Sequence, residues 1–330
     1  MSRLAAENLG DPMTLEPQQS AAQSSNTPVA EISSSPPSGN KSLEGACYAI
    51  LAYGFWGFVP IYWKLIASVP APQTVAHRVG WSVVALIPLL IATRKIKELV
   101  ATLKAPGKLV MLFVTATLLS LNWLAFIWAV TNNAVLDSSL GYFMNPLVNV
   151  AFGRIFLKEH LRPAQMVAVL LAFGGVVALT LQAGRVPVLS IFLAVTFSAY
   201  GLLRKMAPVE PLVGLSVETI LMLPFACAYL LWTQMTGALE FFMNFTQDLL
   251  VVLAGPVTTL PLLWFAAAGK RLKYSTLGFF QYISPTCQFL LAVFVYHEVF
   301  TQGHLYAFVC IWVALGIYLI DSLREAKKVA

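Results

Sequence analysis

Beyond residue 42 the chain runs as long apolar stretches separated by short polar connections, with no apolar/polar alternation of period two inside the stretches. Such runs predict helices rather than barrel strands, because a helix satisfies its own backbone groups while a lipid-facing strand alternates. Roughly 20 apolar residues of helix cross a hydrocarbon layer of about 30 Å. On that measure spans are predicted at 45–66, 74–93, 109–130, 136–157 and 162–182, and again at 187–206, 212–233, 247–268, 274–296 and 303–322. The expected fold is all-α and integral to the membrane, with ten transmembrane helices.

Composition agrees with that pattern: 58% hydrophobic and 11% charged residues leave too little polar surface to coat a water-soluble globule. The first 42 residues are rich in Ser, Gln, Pro, Asn and Ala, and hold no apolar run of signal-peptide type. They are expected to form a disordered cytoplasmic tail.

Charge supplies an orientation. With the N-terminus inside, all of the 21 basic residues except Lys64, Arg78 and Arg185 fall on the cytoplasmic side, as the positive-inside bias requires. Both termini are therefore expected to be cytoplasmic. The net charge of +6 is spread over short loops and forms no single basic face, so it gives no indication of nucleic-acid binding.

Dividing the spans five and five brings out a duplication. Leu140-Gly141-Tyr142-Phe143 recurs as Leu277-Gly278-Phe279-Phe280, and in both copies a proline follows with a glutamate 13 residues beyond it: Pro146 to Glu159, and Pro285 to Glu298. An odd number of spans per half places the second copy upside down, the arrangement of inverted-repeat transporters. The expected organisation is a tail at 1–42, a first five-helix repeat at 43–183, an inverted second at 184–323, and a short cytoplasmic tail at 324–330.

Several polar groups within the apolar stretches are candidates for function. Pro146 and Pro285 are expected to kink their helices, each leaving a carbonyl one turn earlier without its donor. Beside the first kink Tyr142, Asn145 and Asn149 share a helix face, and Gln281, Ser284 and Gln288 repeat it in the second half. Two readings are open: the amides fasten helix to helix, or the stripes line a cavity, which Asn122, Trp123, Trp56 and Thr259 would extend.

Lys64, His77 and Arg78 cluster at the expected outer end of spans 1 and 2. They would either attract an anionic or zwitterionic ligand or, for the two cations, snorkel to lipid headgroups. Glu218 is a candidate for proton coupling, with an ion pair to Arg204 or Lys205 as the competing reading. Glu159 and Glu298 each precede a helix whose N-terminus they would cap. Ala164, Ala168, Ala172 and Gly175 form a small-residue stripe suited to close helix packing.

Cys47, Cys227, Cys287 and Cys310 stand alone in their spans and read as buried small hydrophobes, so no metal site is expected. His77, His160, His297 and His304 form no HExxH or comparable grouping, and no nucleotide-binding P-loop occurs. Neither a membrane enzyme nor an ATP-driven pump is indicated, and no cofactor is expected.

A resemblance adds to this reading. Trp56-Gly57, Pro60 and Lys64, then His77-Arg78, Asn122-Trp123, the run from Ser139 to Pro146 and the run from Leu277 to Pro285 resemble the EamA family of the drug/metabolite transporter superfamily, over residues 44–322. The resemblance implies a ten-helix transporter of the bacterial inner membrane, built from inverted repeats. Members mostly export metabolites or drugs, often by proton or substrate exchange. The long N-terminal tail departs from the family pattern. A small-molecule substrate, protons as coupling ion and the lipid bilayer are the partners expected, with a non-transporting sensor or scaffold as the alternative.

Overall fold

The computed structural model describes residues 39–156, 162–184, 186–242, 244–269, 271 and 280–329. The predicted tail as far as residue 38, Glu159, and residues 277–279 of the second repeated motif lie outside the described residues. Those from residue 39 onward belong to one compact unit, Pro37–Ala330, and among them no strand occurs.

The helices in chain order are α1 (Gly39–Leu65), α2 (Ala71–Ala92), α3 (Ile96–Leu103), α4 (Pro106–Thr131), α5 (Val135–Phe156), α6 (Pro163–Ala183), α7 (Val188–Met206), α8 (Pro211–Met235), α9 (Phe245–Gly269), α10 (Ile283–Leu290) and α11 (Gln302–Val329). Among the described residues six stretches are long and apolar enough to cross a membrane: Leu43–Leu65, Ala71–Ala92, Pro106–Thr131, Pro163–Gln182, Pro211–Met235 and Phe245–Phe265. Large apolar side chains such as Phe173, Leu181, Leu231 and Phe294 are mostly exposed on the outer surface of the bundle, as a lipid solvent allows.

Prolines and caps set the helix starts. Pro106, Pro163 and Pro211 stand in the first turns of α4, α6 and α8, where a missing N–H costs nothing. The Glu210 carboxylate accepts from the backbone N–H groups of Leu212 and Val213 at 3.1 and 3.2 Å, capping α8. Gly184 ends α6 at φ 64°, a left-handed conformation open to glycine without penalty.

Several expectations are corrected. A short helix, α3, occupies the basic connection between α2 and α4; eight residues with only Leu99 and Thr102 buried are too few for periodicity to register. Helix α11 runs on to Val329, through the predicted C-terminal tail. Pro285 is the third residue of α10 rather than a kink within a helix, whereas Pro146 does lie inside α5. Cys47 and Cys227 are exposed, which an apolar solvent tolerates as readily as a core does.

Helices from before residue 184 pack chiefly on helices from after it: α6 on α11, α5 on α7 and α10, α2 on α8 and α9, and α1 on α9 and α10. Small residues make the closest of these contacts. A Cβ on Gly141 would lie 2.7 Å from the Ser190 carbonyl oxygen, joining α5 to α7, and one on Gly175 would lie 2.7 Å from Cys310 Cβ, joining α6 to α11. Ala168 and Ala172 of the predicted stripe are buried in the same α6 face. At Gly255 a Cβ would fall on the α2 backbone at Trp81 and Ser82, so only glycine permits the α2–α9 approach.

Gly255→Leu is expected to lower the unfolding temperature by overpacking worth roughly 1–3 kcal/mol. Gly174→Ala, where nothing stands in the path of a Cβ, should leave it unchanged or raise it through helix propensity. Thermal unfolding in detergent separates the two, and equal melting points would sink the close-approach argument.

Candidate functional site

A small cavity of about 30 Å³ lies between α2, α4, α8 and α9. Its polar wall consists of Arg78 and Ser82 from α2, Ser120 from α4, Glu218 and Thr219 from α8, and Thr258 and Thr259 from α9, and the remainder is apolar, from Leu86 to Leu262. Gln73, near the start of α2, donates to the Ala238 carbonyl at 2.6 Å and accepts from the Glu240 N–H at 2.9 Å, just past the end of α8. The two helices are thus antiparallel. Arg78 and Glu218, each seven residues beyond its helix's first, enter the cavity from opposite ends, each about 10 Å in.

Glu218 is 2% exposed and fully engaged. It accepts from Thr115 Oγ1 at 2.7 Å and from Tyr200 OH at 3.4 Å, and Arg204 Nε lies 3.5 Å from its Oε1. The ion pair to Arg204 is therefore present. Gly214, one turn before Glu218, leaves room for the guanidinium, since a Cβ there would fall on it. At the other end Arg78 is 7% exposed, with its Cζ 4.3 Å above the centre of the Trp123 ring. It does not snorkel. Lys64 donates to Asn133 Oδ1 at 2.7 Å and lies 3.8 Å over the Tyr296 ring, while the His77 ring sits 4.8 Å from Phe241.

The predicted stripes on α5 and α10 are not part of this cavity's wall. Tyr142 OH donates to Asn122 Oδ1 at 3.2 Å, and Asn122 Nδ2 in turn donates to the Leu193 carbonyl at 3.0 Å and to Thr196 Oγ1 at 2.9 Å. These residues join α4, α5 and α7. Gln288 Nε2 donates to the Trp56 carbonyl and to Ser284 Oγ, both at 3.2 Å, joining α10 to α1. Trp56 packs edge-on to Tyr53 at 5.5 Å. Asn145 is buried, its backbone carbonyl accepting from Ser198 Oγ at 3.3 Å, whereas Gln281 is half-buried and Asn149 exposed. Tyr142 and Gln288 thus fasten helix to helix, while the Asn145 amide oxygen is buried without a partner.

Glu298 caps a helix, though not the one that follows it. Its two carboxylate oxygens accept from the Val135 and Leu136 N–H groups at 2.9 and 2.8 Å, so it closes the N-terminus of α5 from the far half of the chain. Sequence reasoning missed Ser82, Ser120, Thr258, Thr115 and Tyr200. For Ser82 the only signal was its position one turn after Arg78. Among the described residues no group of three His, Cys, Asp or Glu side chains is placed to hold a metal.

An apolar helical bundle with charged side chains around an internal cavity defines the class: a multi-pass membrane protein of the transporter kind. A sequence model of the EamA-like transporter family matches residues 43–181. An uncharacterized transporter of Vibrio cholerae is 47% identical over 289 residues, covering 87% of this chain and 96% of that protein. Protein RarD of Salmonella typhi is 44% identical over 289 residues, covering 87% of this chain and 98% of that one. The chain belongs to the EamA-like transporter family of the drug/metabolite transporter superfamily, and its likeness within the family is to the RarD proteins. A solved crystal structure with a TM-score of 0.55 and 21% identity, spanning 87% of this chain and 98% of that one, has a similar fold.

Arg204→Gln, which strands the buried Glu218 carboxylate, is expected to destabilise the protein by roughly 3–5 kcal/mol. The double variant Arg204→Gln with Glu218→Gln should recover most of that loss. Melting points of the single and double variants form the test, and simple addition of the two single effects would show that the pair is not coupled.

Proposed function

We propose that this chain is a secondary transporter that exports a small metabolite or drug from the cytoplasm across the bacterial inner membrane by alternating access. The reading takes the ten apolar stretches as transmembrane helices in two inverted five-helix halves, with both termini cytoplasmic by the distribution of Lys and Arg. What carries it is the cavity between α2, α4, α8 and α9, which has a cation toward one end and an acid toward the other. Charged groups inside an apolar bundle are costly, and proteins keep them where substrate or ions pass.

In this reading Glu218 is the coupling group. The carboxylate shares the cavity with the substrate and is bound to Arg204, so taking up a proton would release Arg204 and change the packing between α7 and α8. Helix α2 contributes Arg78 and Ser82, and Gly255 holds α9 against it. Tyr142, Asn122 and Gln288 serve as joints between moving helices rather than as substrate ligands. The family's association with transport and the names of the relatives support the general class.

The test is purified protein in liposomes, without nucleotide, offered a broad panel of metabolites and drugs with and without a pH gradient. Uptake of at least one compound is expected, with Glu218→Gln losing the response to the gradient. In a chain whose four cysteines are replaced by serine, Ser120→Cys should react with a membrane-impermeant maleimide added to either side. Failure of the whole panel, with labelling from neither side, would instead favour a sensor or scaffold.

A further inference from the structure

Arg78 is charged, buried and unmatched. Its Nε has no hydrogen-bond partner, and among the described residues no carboxylate lies within 4 Å of its guanidinium. Glu218, the acid that shares its cavity, is already bound to Arg204, Thr115 and Tyr200. Ser82, one turn along α2 and 5% exposed, has a hydroxyl that is also without a partner. Both side chains line the cavity. Keeping a guanidinium in such a place is costly unless a counter-charge arrives.

The remaining hydroxyls narrow the chemistry. Thr258 and Thr259 donate their hydroxyl hydrogens to the carbonyls of Ala254 and Gly255 at 2.8 and 2.9 Å, so they have none left to give an anion. Besides the Ser120 hydroxyl on α4, the donors available in the cavity are thus the Arg78 guanidinium and the Ser82 hydroxyl. Trp123 covers one face of the guanidinium, which leaves its edge for the paired hydrogen bonds that a planar carboxylate accepts. A phosphate dianion would require a second cation. Beyond Ser82 the wall turns apolar at Leu86, Leu119 and Met222.

We infer that Arg78 and Ser82 form the binding site for a carboxylate on the substrate, whose apolar body lies along Leu86, Leu119 and Met222. The word substrate rests on the transport reading; the anion site itself does not. The site selects organic monoanions or zwitterions over neutral compounds of the same shape.

The experiment uses the full chain in phosphatidylcholine nanodiscs, with benzoate, phenylacetate and hexanoate as probes, each against its primary amide. At least one acid should raise the melting point of the wild type while its amide does not. Arg78→Gln should lose that rise, Arg78→Lys keep a reduced one, and Ser82→Ala weaken binding roughly tenfold. Without ligand, Arg78→Gln should melt at or above the wild type, because an uncompensated charge has gone. Acids that leave the wild type unmoved, amides that act as well as acids, or an unchanged response in Arg78→Gln would each overturn the inference.

An unliganded Arg78→Gln that melts far below the wild type, with Arg78→Lys unresponsive, would assign the residue a structural role and overturn it too. So would a melting point raised by phosphatidylglycerol and indifferent to the acids, which would give the site to a lipid headgroup. Liposome uptake separates the two readings. If amides are carried equally by wild type and Arg78→Gln, the anion site falls and transport stands. If nothing is carried but acids still stabilise only the wild type, the site stands and transport falls.

Discussion

Hydrocarbon accepts no hydrogen bonds, and that constraint organises the bundle. A polar atom taken into it must find its partner on another helix or on its own backbone. Asn122 therefore reaches α7 and receives Tyr142 from α5, and Gln288 reaches the backbone of α1. Glu218 collects a threonine, a tyrosine and an arginine. Some buried polar atoms still lack a partner, Asn145 Oδ1 and Gln288 Oε1 among them; Arg78 Nε and the Ser82 hydroxyl differ in belonging to side chains that line the cavity.

The second organising element is the lack of side chains where helices touch. Because lipid tails are as apolar as leucine, association depends on close packing, and small residues make that possible. Gly255 brings α9 onto α2 at Trp81 and Ser82, immediately beside the polar wall of the cavity. Gly214 clears the space that the Arg204 guanidinium needs to meet Glu218. Packing and chemistry are thus set by the same few positions.

Much of the architecture was legible in the apolar runs, since a long run has one inexpensive solution in lipid. Arg78 and Glu218 were legible as well, because a charge inside such a run stands out. The hydroxyls were not: a serine or threonine is too weakly polar to interrupt an apolar run and leaves no trace in the pattern. The stripe of Tyr142, Asn145 and Asn149 shows a different limit. Periodicity fixes the face on which residues lie, but what stands opposite changes from turn to turn, so one stripe holds a bonded tyrosine, a buried amide and an exposed one. Glu298 was read as a cap from its place before a helix, yet the helix it caps is 163 residues away in sequence.

That distant cap bears on how such a bundle would move. Two N–H groups of α5 are held by a carboxylate from the 296–301 connection, and α10 packs along α5, so these pieces are tied together. In the alternating access proposed above, opening this end would carry them together or break both bonds. On the proposed transport reading, the bodies that move would be composite, assembled from helices before and after residue 184.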